Sequence, residues 1–318
     1  MTFFALVDPG IKQVEARIHE YADGYNHDLR EVLEQILTSG GKRIRPTLVL
    51  LTAGMLGGDE ERMINLAAAI EMLHTATLVH DDLIDGALLR RGSPTLNTHW
   101  SPAATVLAGD YLFARAAELA ALTESVVVMQ IFARTLSTIV CGEINQLLKS
   151  RGLVSRDDYF KRIYAKTASL FETALQTSAI LSTSDPNKIL SMKQYGYEIG
   201  MAFQIMDDIL DFTGDQSRVG KPVASDLRQG LATLPIINYL EANPDDVEMQ
   251  AVLKGFKGDE HQISRLVAKI RTSGAIELAL DEAQRFVDQA IRNLTGIPAC
   301  QEKKALIEVA NFIVSREI

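Results

Sequence analysis

Apolar residues recur at three- and four-residue spacing along almost the whole chain, as in amphipathic helix. No run alternates apolar and polar residues as a half-buried strand does, and no hairpin turn is flanked by such runs. The pattern predicts one or two helices between Ile11 and Leu37, stopping at Ser39-Gly40-Gly41. Arg45-Pro46 opens the next helix, with Pro in the first turn where its missing N–H is not needed, and Gly57-Gly58-Asp59 ends it. A long apolar helix follows from Glu60 to Leu83, then a loop from Gly86 to Pro94. A helix near Pro102 to Leu107, a second from Gly109-Asp110 to Leu122, and a long apolar one from Ser125 to Leu148 come next. Ser155 is placed to cap a helix starting at Arg156, Pro186 lies in a loop, and Ile189 to Phe212 reads as helix. The polar, Gly-containing stretch from Gly214 to Gly230 is the lid candidate. From Thr233 onward the pattern is of shorter helices with loops near Asn243-Pro244, Gly255 to Gly258 and Gly296-Ile297-Pro298. No linker, low-complexity tract or fixed-period repeat divides the chain, so the expectation is all-α, with residues 1–318 as one domain.

Two of these helices carry the same acidic motif. His80-Asp81-Asp82-Leu83-Ile84-Asp85 and Met206-Asp207-Asp208-Ile209-Leu210-Asp211 both contain Asp-Asp-x-x-Asp. Residues four apart share a helix face, so Asp81 pairs with Asp85 and Asp207 with Asp211. Asp82 and Asp208 lie about 100° round the helix and should act from the flank. Like charges at this spacing repel, and hard divalent cations with oxygen ligands relieve that. Mg²⁺ is held by one or two carboxylates and completed by substrate phosphates and water. Two such faces opposed across a cavity would hold a small Mg²⁺ cluster against a diphosphate. One copy could be a solvated acidic turn; two copies, each emerging from apolar helix, argue against that.

Charge sharpens the picture. The chain has 32 basic and 41 acidic residues, a net charge of −9, which argues against a nucleic-acid surface. A chain this acidic must gather its cations locally to handle an anionic substrate. Two cysteines, Cys141 and Cys300, give neither a disulfide framework nor a metal spacing. The N-terminus lacks a basic region before its short apolar run, and no stretch reads as a membrane span. The expectation is a cytoplasmic protein without stable membrane insertion.

The cations do cluster. Gly40-Gly41-Lys42-Arg43-Ile44-Arg45-Pro46 puts three of them in seven residues at a Gly-Gly turn. Glycine lets backbone approach an anion, and Arg offers a fork for phosphate oxygens. Arg90-Arg91 follows the first ladder by five residues. Lys166-Thr167 and Lys221 are weaker signals, and His74 lies two helical turns before Asp81. Each alone reads as readily as an exposed turn, a surface cation or a core histidine. Together they describe two anion sites, one bound through metal on the ladders and one bound directly by Lys42, Arg45 and Arg91. An enzyme joining two diphosphate esters needs that division, because one diphosphate leaves and the other stays.

With both acidic motifs, the chain also carries Gly142-Glu143-x-x-Gln146, Lys166-Thr167-Ala168, Phe203-Gln204, Gly220-Lys221-Pro222 followed by Asp226-Leu227, and a terminal Asn311-Phe312-Ile313-Val314-Ser315-Arg316. In these it resembles the trans-isoprenyl diphosphate synthases, the polyprenyl synthetase family. The resemblance implies a helical bundle round a deep central cavity, the isoprenoid synthase type I fold, in a homodimer. It implies sequential 1′–4 condensation of isopentenyl diphosphate onto an allylic diphosphate, with three Mg²⁺ per active site when diphosphate is bound. Asp81, Asp85 and Asp207 would bind Mg²⁺, with Asp82, Asp208 and Asp211 supporting. Lys42, Arg45, His74 and Arg91 would hold isopentenyl diphosphate; Arg90, Lys166 and Lys221 would hold the allylic diphosphate. Thr167 and Gln204 would face the developing cation.

Two positions depart from the family pattern: Leu231 replaces a usual lysine, and Ala224 stands where glycine is common. Neither touches the ladders. At about 1.5 Å per residue, Ala76 and Thr77 lie roughly 6 to 7.5 Å below Asp81, and Leu73 about 12 Å below. Short-chain relatives commonly have an aromatic residue at the Ala76 position. Small residues there predict a long-chain product, resembling the octaprenyl and solanesyl diphosphate synthases, with Leu73 and Phe132 as a deeper floor. The alternatives are a geranylgeranyl or farnesyl diphosphate synthase, a class I terpene cyclase, or a regulatory subunit. A cyclase has no use for a second diphosphate site, and a regulatory subunit would be expected to lose ladder aspartates.

Overall fold

The structure is a computed structural model and describes residues 3–22, 27–38, 41–90, 92–149, 154–214, 223–256 and 258–316. Nearly all are helical: α1 (Phe3–Ala22), α2 (His27–Thr38), α3 (Ile44–Leu56), α4 (Glu60–Ile84), α5 (Pro102–Ala121), α6 (Val126–Lys149), α7 (Arg156–Ile163), α8 (Ser169–Ser182) and α9 (Pro186–Thr213). A π turn, Tyr164–Ala168, joins α7 to α8. Shorter helices follow at Ser225–Arg228, Leu234–Ala242, Val247–Leu253, Glu260–Thr272, Ala275–Asn293 and Gln301–Ser315. The loop expected from Gly86 to Pro94 contains a minimal hairpin, Leu89–Arg90 paired antiparallel with Ser93–Pro94.

The chain forms two compact units, Met1–Arg134 with Glu172–Lys193 and Leu294–Val309, and Thr135–Phe171 with Gln194–Asn293 and Ala310–Ile318. In the first, α4 is the central element. Every residue from Met63 to Leu73 is buried, as expected for a helix apolar on all sides. It packs most extensively on α5, then on α3 and α1, against Leu112, Ala116 and Leu119 of α5, Leu48 and Leu51 of α3, and Val14 and Ile18 of α1, all buried. In the second unit, Leu234–Ala242 packs chiefly against Ala275–Asn293, and Asn238 Nδ2 donates to Ala275 O at 3.1 Å.

Caps are placed where side-chain chemistry predicts. Ser155 Oγ accepts from Asp158 N at 3.1 Å, and Asp59 accepts from Arg62 N at 3.0 Å. The break expected before Gly109 does not occur; α5 is continuous. A β-carbon at Gly109 would run into the His80 imidazole, so the glycine serves a close approach of α5 to α4 rather than a helix end. A second difference is α6. Val126–Leu148 has a mean hydropathy of 1.4 and the length to cross a membrane. The expectation that no stretch reads as a span therefore fails for α6 on length and composition, even with Arg134 and Glu143 inside it.

Candidate functional site

The first ladder occupies the C-terminal end of α4. Asp85 is the C-cap residue, its N–H bonding to Asp81 O at 2.8 Å. Asp81 is half-buried, Asp85 is exposed, and Asp82 is buried. Arg90 Nε donates to both Asp82 oxygens, each at 2.8 Å. The hairpin carries Arg90 in its first strand. Its base is tied back to α4 by Ala87 N donating to Asp82 O (2.9 Å), and by Thr95 Oγ1 and Asn97 Nδ2 donating to Ala87 O (2.6 and 2.9 Å). Two Nη groups of Arg90 provide four further N–H donors. Arg91 lies outside the described residues.

Further down α4, His74 and Thr77 are half-buried, while Leu73 and Ala76 have no accessible surface. Thr77 Oγ1 turns back to donate to His74 O at 2.7 Å. Phe132 is buried on α6, but the helix packed along α4 is α5, with Phe113 edge-on to His80 at 5.2 Å between centroids. The cationic turn before α3 exposes Lys42 and buries Arg45. Between them Arg43 is in the left-handed region, φ 44° and ψ 39°.

The second ladder is built on α9 inside the other unit. Asp208 is buried, and both its oxygens are engaged. Tyr159 Oη donates to Oδ2 at 2.7 Å and Gln204 Nε2 donates to Oδ1 at 2.9 Å. Thr167 Oγ1 donates to Gln204 Oε1 at 2.5 Å. This chain fixes which end of the Gln204 amide is which. Burial, then repulsion from Asp226, raises the Asp208 carboxyl well above its ordinary range, against the hydrogen bonds from Gln204 and Tyr159. Asp207 is half-buried and pairs with Arg316 Nη1 at 3.1 Å. Arg316 also lies over the Phe203 ring, 4.1 Å from its centroid, and donates to Phe203 O. Asp211 accepts from the backbone N–H groups of Ser225 (3.1 Å) and Asp226 (3.2 Å), so it caps the short helix Ser225–Arg228.

Lys166 and Thr167 sit in the π turn, a feature that tends to mark functional sites. Two glycines let that turn pack closely: a β-carbon at Gly142 would meet Ala165, and one at Gly200 would meet Ala168. Lys166 Nζ is 3.3 Å from Glu143 Oε1. Lys221 lies outside the described residues, as does the lid candidate from 215 to 222. Beyond it, Ala224 adopts φ 57° and ψ 45°, the left-handed conformation that glycine takes at less cost. That is the physical reason glycine is common at this position. Leu231 is half-buried, with its N–H bonded to Asp226 O at 2.9 Å.

Sequence reasoning did not assign roles to Tyr159, Arg316 or Arg43. Tyr159 lies 49 residues from Asp208 and Arg316 lies 109 from Asp207, so no local pattern links them. The terminal motif containing Arg316 was the one available signal.

The donor set suits a hard cation. On the first ladder it consists of the accessible carboxylates of Asp81 and Asp85, and on the second of those of Asp207 and Asp211. Asp207 already receives a cationic side chain. Among the described residues no three His, Cys, Asp or Glu side chains gather closely enough to hold an ion by themselves.

A family model described as polyprenyl synthetase matches residues 26–270. The chain is 36% identical over 315 residues to heptaprenyl diphosphate synthase component 2 of Geobacillus stearothermophilus, covering 99% of this chain and 98% of that protein. It is 34% identical over 319 residues to geranylgeranyl diphosphate synthase of Saccharolobus solfataricus, covering 96% of each. The solved structure of a polyprenyl synthase from Caulobacter crescentus CB15, complexed with calcium and isoprenyl diphosphate, superposes with a TM-score of 0.94 at 35% identity, covering 99% of this chain and 97% of that one. With the family model, whole-length relatives and the helical fold in agreement, the chain belongs to the polyprenyl synthetase family.

Proposed function

We propose that the protein is a Mg²⁺-dependent trans-prenyltransferase that condenses isopentenyl diphosphate successively onto an allylic diphosphate, giving a medium- to long-chain polyprenyl diphosphate. One observation carries the reading: the two ladders are built alike. In each, the inner aspartate is buried and held by protein donors, while the outer aspartates keep accessible surface. The relatives, a heptaprenyl and a geranylgeranyl diphosphate synthase, and the calcium and isoprenyl diphosphate in the Caulobacter structure, support it.

Asp81, Asp85 and Asp207 would hold the Mg²⁺, with Asp82, Asp208 and Asp211 supporting, and three ions per site are carried as part of the proposal. Bound there, the metal supplies Lewis-acid neutralisation of the departing diphosphate. Lys42, Arg45, His74 and Arg91 bind isopentenyl diphosphate; Arg90, Lys166 and Lys221 bind the allylic diphosphate through charge that matters most as the leaving group becomes anionic. The allylic C1–O bond breaks and its electron pair leaves with the diphosphate. The π pair of isopentenyl diphosphate then forms the new C1′–C4 bond, and a C2 proton passes to the released diphosphate. Thr167 and Gln204, held in place by the chain of hydrogen bonds from Thr167 to Gln204 to Asp208, would face the developing allylic cation.

The reading of residues 1–318 as a single domain belongs to this proposal. A homodimer does too. The face of α6 bearing Val140, Ile144, Leu147 and Leu148 is 43 to 79% exposed in the single chain, and a second copy is the occupant we propose. Bilayer insertion of α6 would place Arg134 and Glu143 in hydrocarbon, which is costly. A cytoplasmic location follows the same reading.

Incubation of purified protein with Mg²⁺, isopentenyl diphosphate and farnesyl diphosphate, followed by product-length analysis, tests the function. The expected result is a polyprenyl diphosphate in the hexaprenyl to decaprenyl range, lost on chelation. No elongation with Mg²⁺ present would sink the reading. Ala76→Phe is expected to shorten the product sharply while leaving the first condensation intact. An unchanged product distribution would show that the chain does not grow past Ala76.

A further inference from the structure

Arg43 stands between two residues proposed to bind isopentenyl diphosphate, yet its side chain faces the protein. Its backbone is left-handed, φ 44° and ψ 39°, a conformation that costs any residue with a β-carbon. Arg43 Nη1 donates to Glu71 Oε1 at 2.8 Å and Nη2 to Leu37 O at 2.9 Å, and Nε donates to Glu15 Oε1 at 3.4 Å. These acceptors lie on α4, α2 and α1. The Arg43 and Glu71 side chains are only 13% and 8% exposed. Burial works against the Arg43 charge, but the charge of Glu71 and the hydrogen bonds to Glu71 and Glu15 more than offset it, so the guanidinium stays charged.

We infer that Arg43 is a positioning residue that locks the cationic turn to α4, so that Lys42 and Arg45 are presented at the level of His74. Glu71 is one helical turn before His74 on α4, and residues three apart are neighbours on a helix surface. Backbone held at Arg43 sets the direction of Lys42 before it and of the first turn of α3 after it, which carries Arg45, since Arg43 is the N-cap of α3. The left-handed conformation persists because the buried ion pair over-determines it. A strained residue held by its neighbours beside a candidate site points to function more than to packing alone. The inference rests on the proposed reaction and adds a residue that acts through its neighbours.

Two variants separate the lock from the strain. Arg43→Gly relieves the left-handed strain and removes the lock; Glu71→Gln keeps the shape and removes the counter-charge. Each is measured for KM of isopentenyl diphosphate, KM of farnesyl diphosphate, kcat and thermal midpoint, beside Arg45→Ala. The expected result is an increase of about tenfold or more in KM for isopentenyl diphosphate in both variants, with kcat and the other KM within about twofold. Arg43→Lys should restore part of the affinity. A merely structural role would lower active protein and midpoint without splitting the two KM values, and that outcome overturns the inference. If Arg45→Ala raises KM for isopentenyl diphosphate and the Arg43 and Glu71 variants do not, the lock is wrong and the site reading stands. Should Arg45→Ala itself leave that KM unchanged, the site reading falls and the inference with it.

Discussion

Arg90 gives its Nε to both oxygens of Asp82, and Asp208 receives Tyr159 and Gln204, one on each oxygen. A buried carboxylate is costly unless it is hydrogen-bonded, so each inner aspartate is stable only as part of its network. Each outer aspartate is in the opposite position, close to another negative charge with accessible surface. Asp81→Ala and Asp207→Ala are therefore expected to abolish turnover with the helical circular dichroism kept; the thermal midpoint should stay near wild type for Asp81→Ala, which removes one of two repelling charges, and fall for Asp207→Ala, which also breaks the pair with Arg316. Wild-type-like turnover in either variant would remove the metal mechanism. Glu198 gives a separate residue-scale test. Burial, opposed by the charge of Arg292, raises its carboxyl from the ordinary 4.5 to about 7. The folded state thus holds its proton more tightly than the unfolded chain. The cost of ionising it appears as pH rises above about 4.5 and is complete above about 7. Glu198→Gln should raise stability at pH 8 by about 1 kcal/mol, a figure discounted for partial exposure, and should give no gain at pH 4. Denaturant titrations at the two pH values check this; an equal effect at both would refute it.

At the scale of elements, the ladder on α4 depends on how α5 is held beside it. His80, one residue before Asp81, has its Nε2 3.0 Å from Val106 O and its ring edge-on to Phe113. Gly109 leaves the room for that imidazole. Gly109→Ala would favour α5 by helix propensity, by about 1 kcal/mol. It would also force His80 out of its seat, and overpacking a fitted contact typically costs about 1 to 3 kcal/mol. The expected net effect is destabilisation in equilibrium unfolding, with reduced turnover from the displaced end of α4. A more stable and fully active variant would show that the contact is slack. The hairpin after α4 and the π turn before α8 are likewise short irregular elements that each carry a cation paired with a carboxylate, Arg90 with Asp82 in one case and Lys166 with Glu143 in the other.

For the molecule as a whole, the acidic surface and the apolar face of α6 pull in different directions. A net charge of −9 favours solubility, while Ile144 and Leu147 are 48% and 59% exposed on one helix. Contiguous exposed apolar surface marks an interaction site more often than not. Ile144→Asp is expected to convert the proposed homodimer to monomer in sedimentation velocity, with the helical spectrum kept. A wild-type protein that sediments as a monomer at micromolar concentration would remove the dimer from the proposal.

The helices and their ends were legible in the chain because they are local. The three- and four-residue spacing of apolar positions located α3, α4, α6 and α9 to within a few residues, and Ser155 capped its helix through an atom three residues away. The ladders were legible for the same reason, because two carboxylates four residues apart must share a helix face. Only tertiary structure decided which aspartate of each motif is buried, since Tyr159 and Arg90 reach their partners from 49 and 8 residues away. Gly109 read as a break and proved to be a close approach, because the imidazole that requires it belongs to another helix. Arg43 reads in sequence as part of the cationic turn, with no role of its own. Its conformation and its partners on α1 and α4, 28 residues away in each direction along the chain, turn it inward, and such long-range pairing leaves no periodic trace in the sequence.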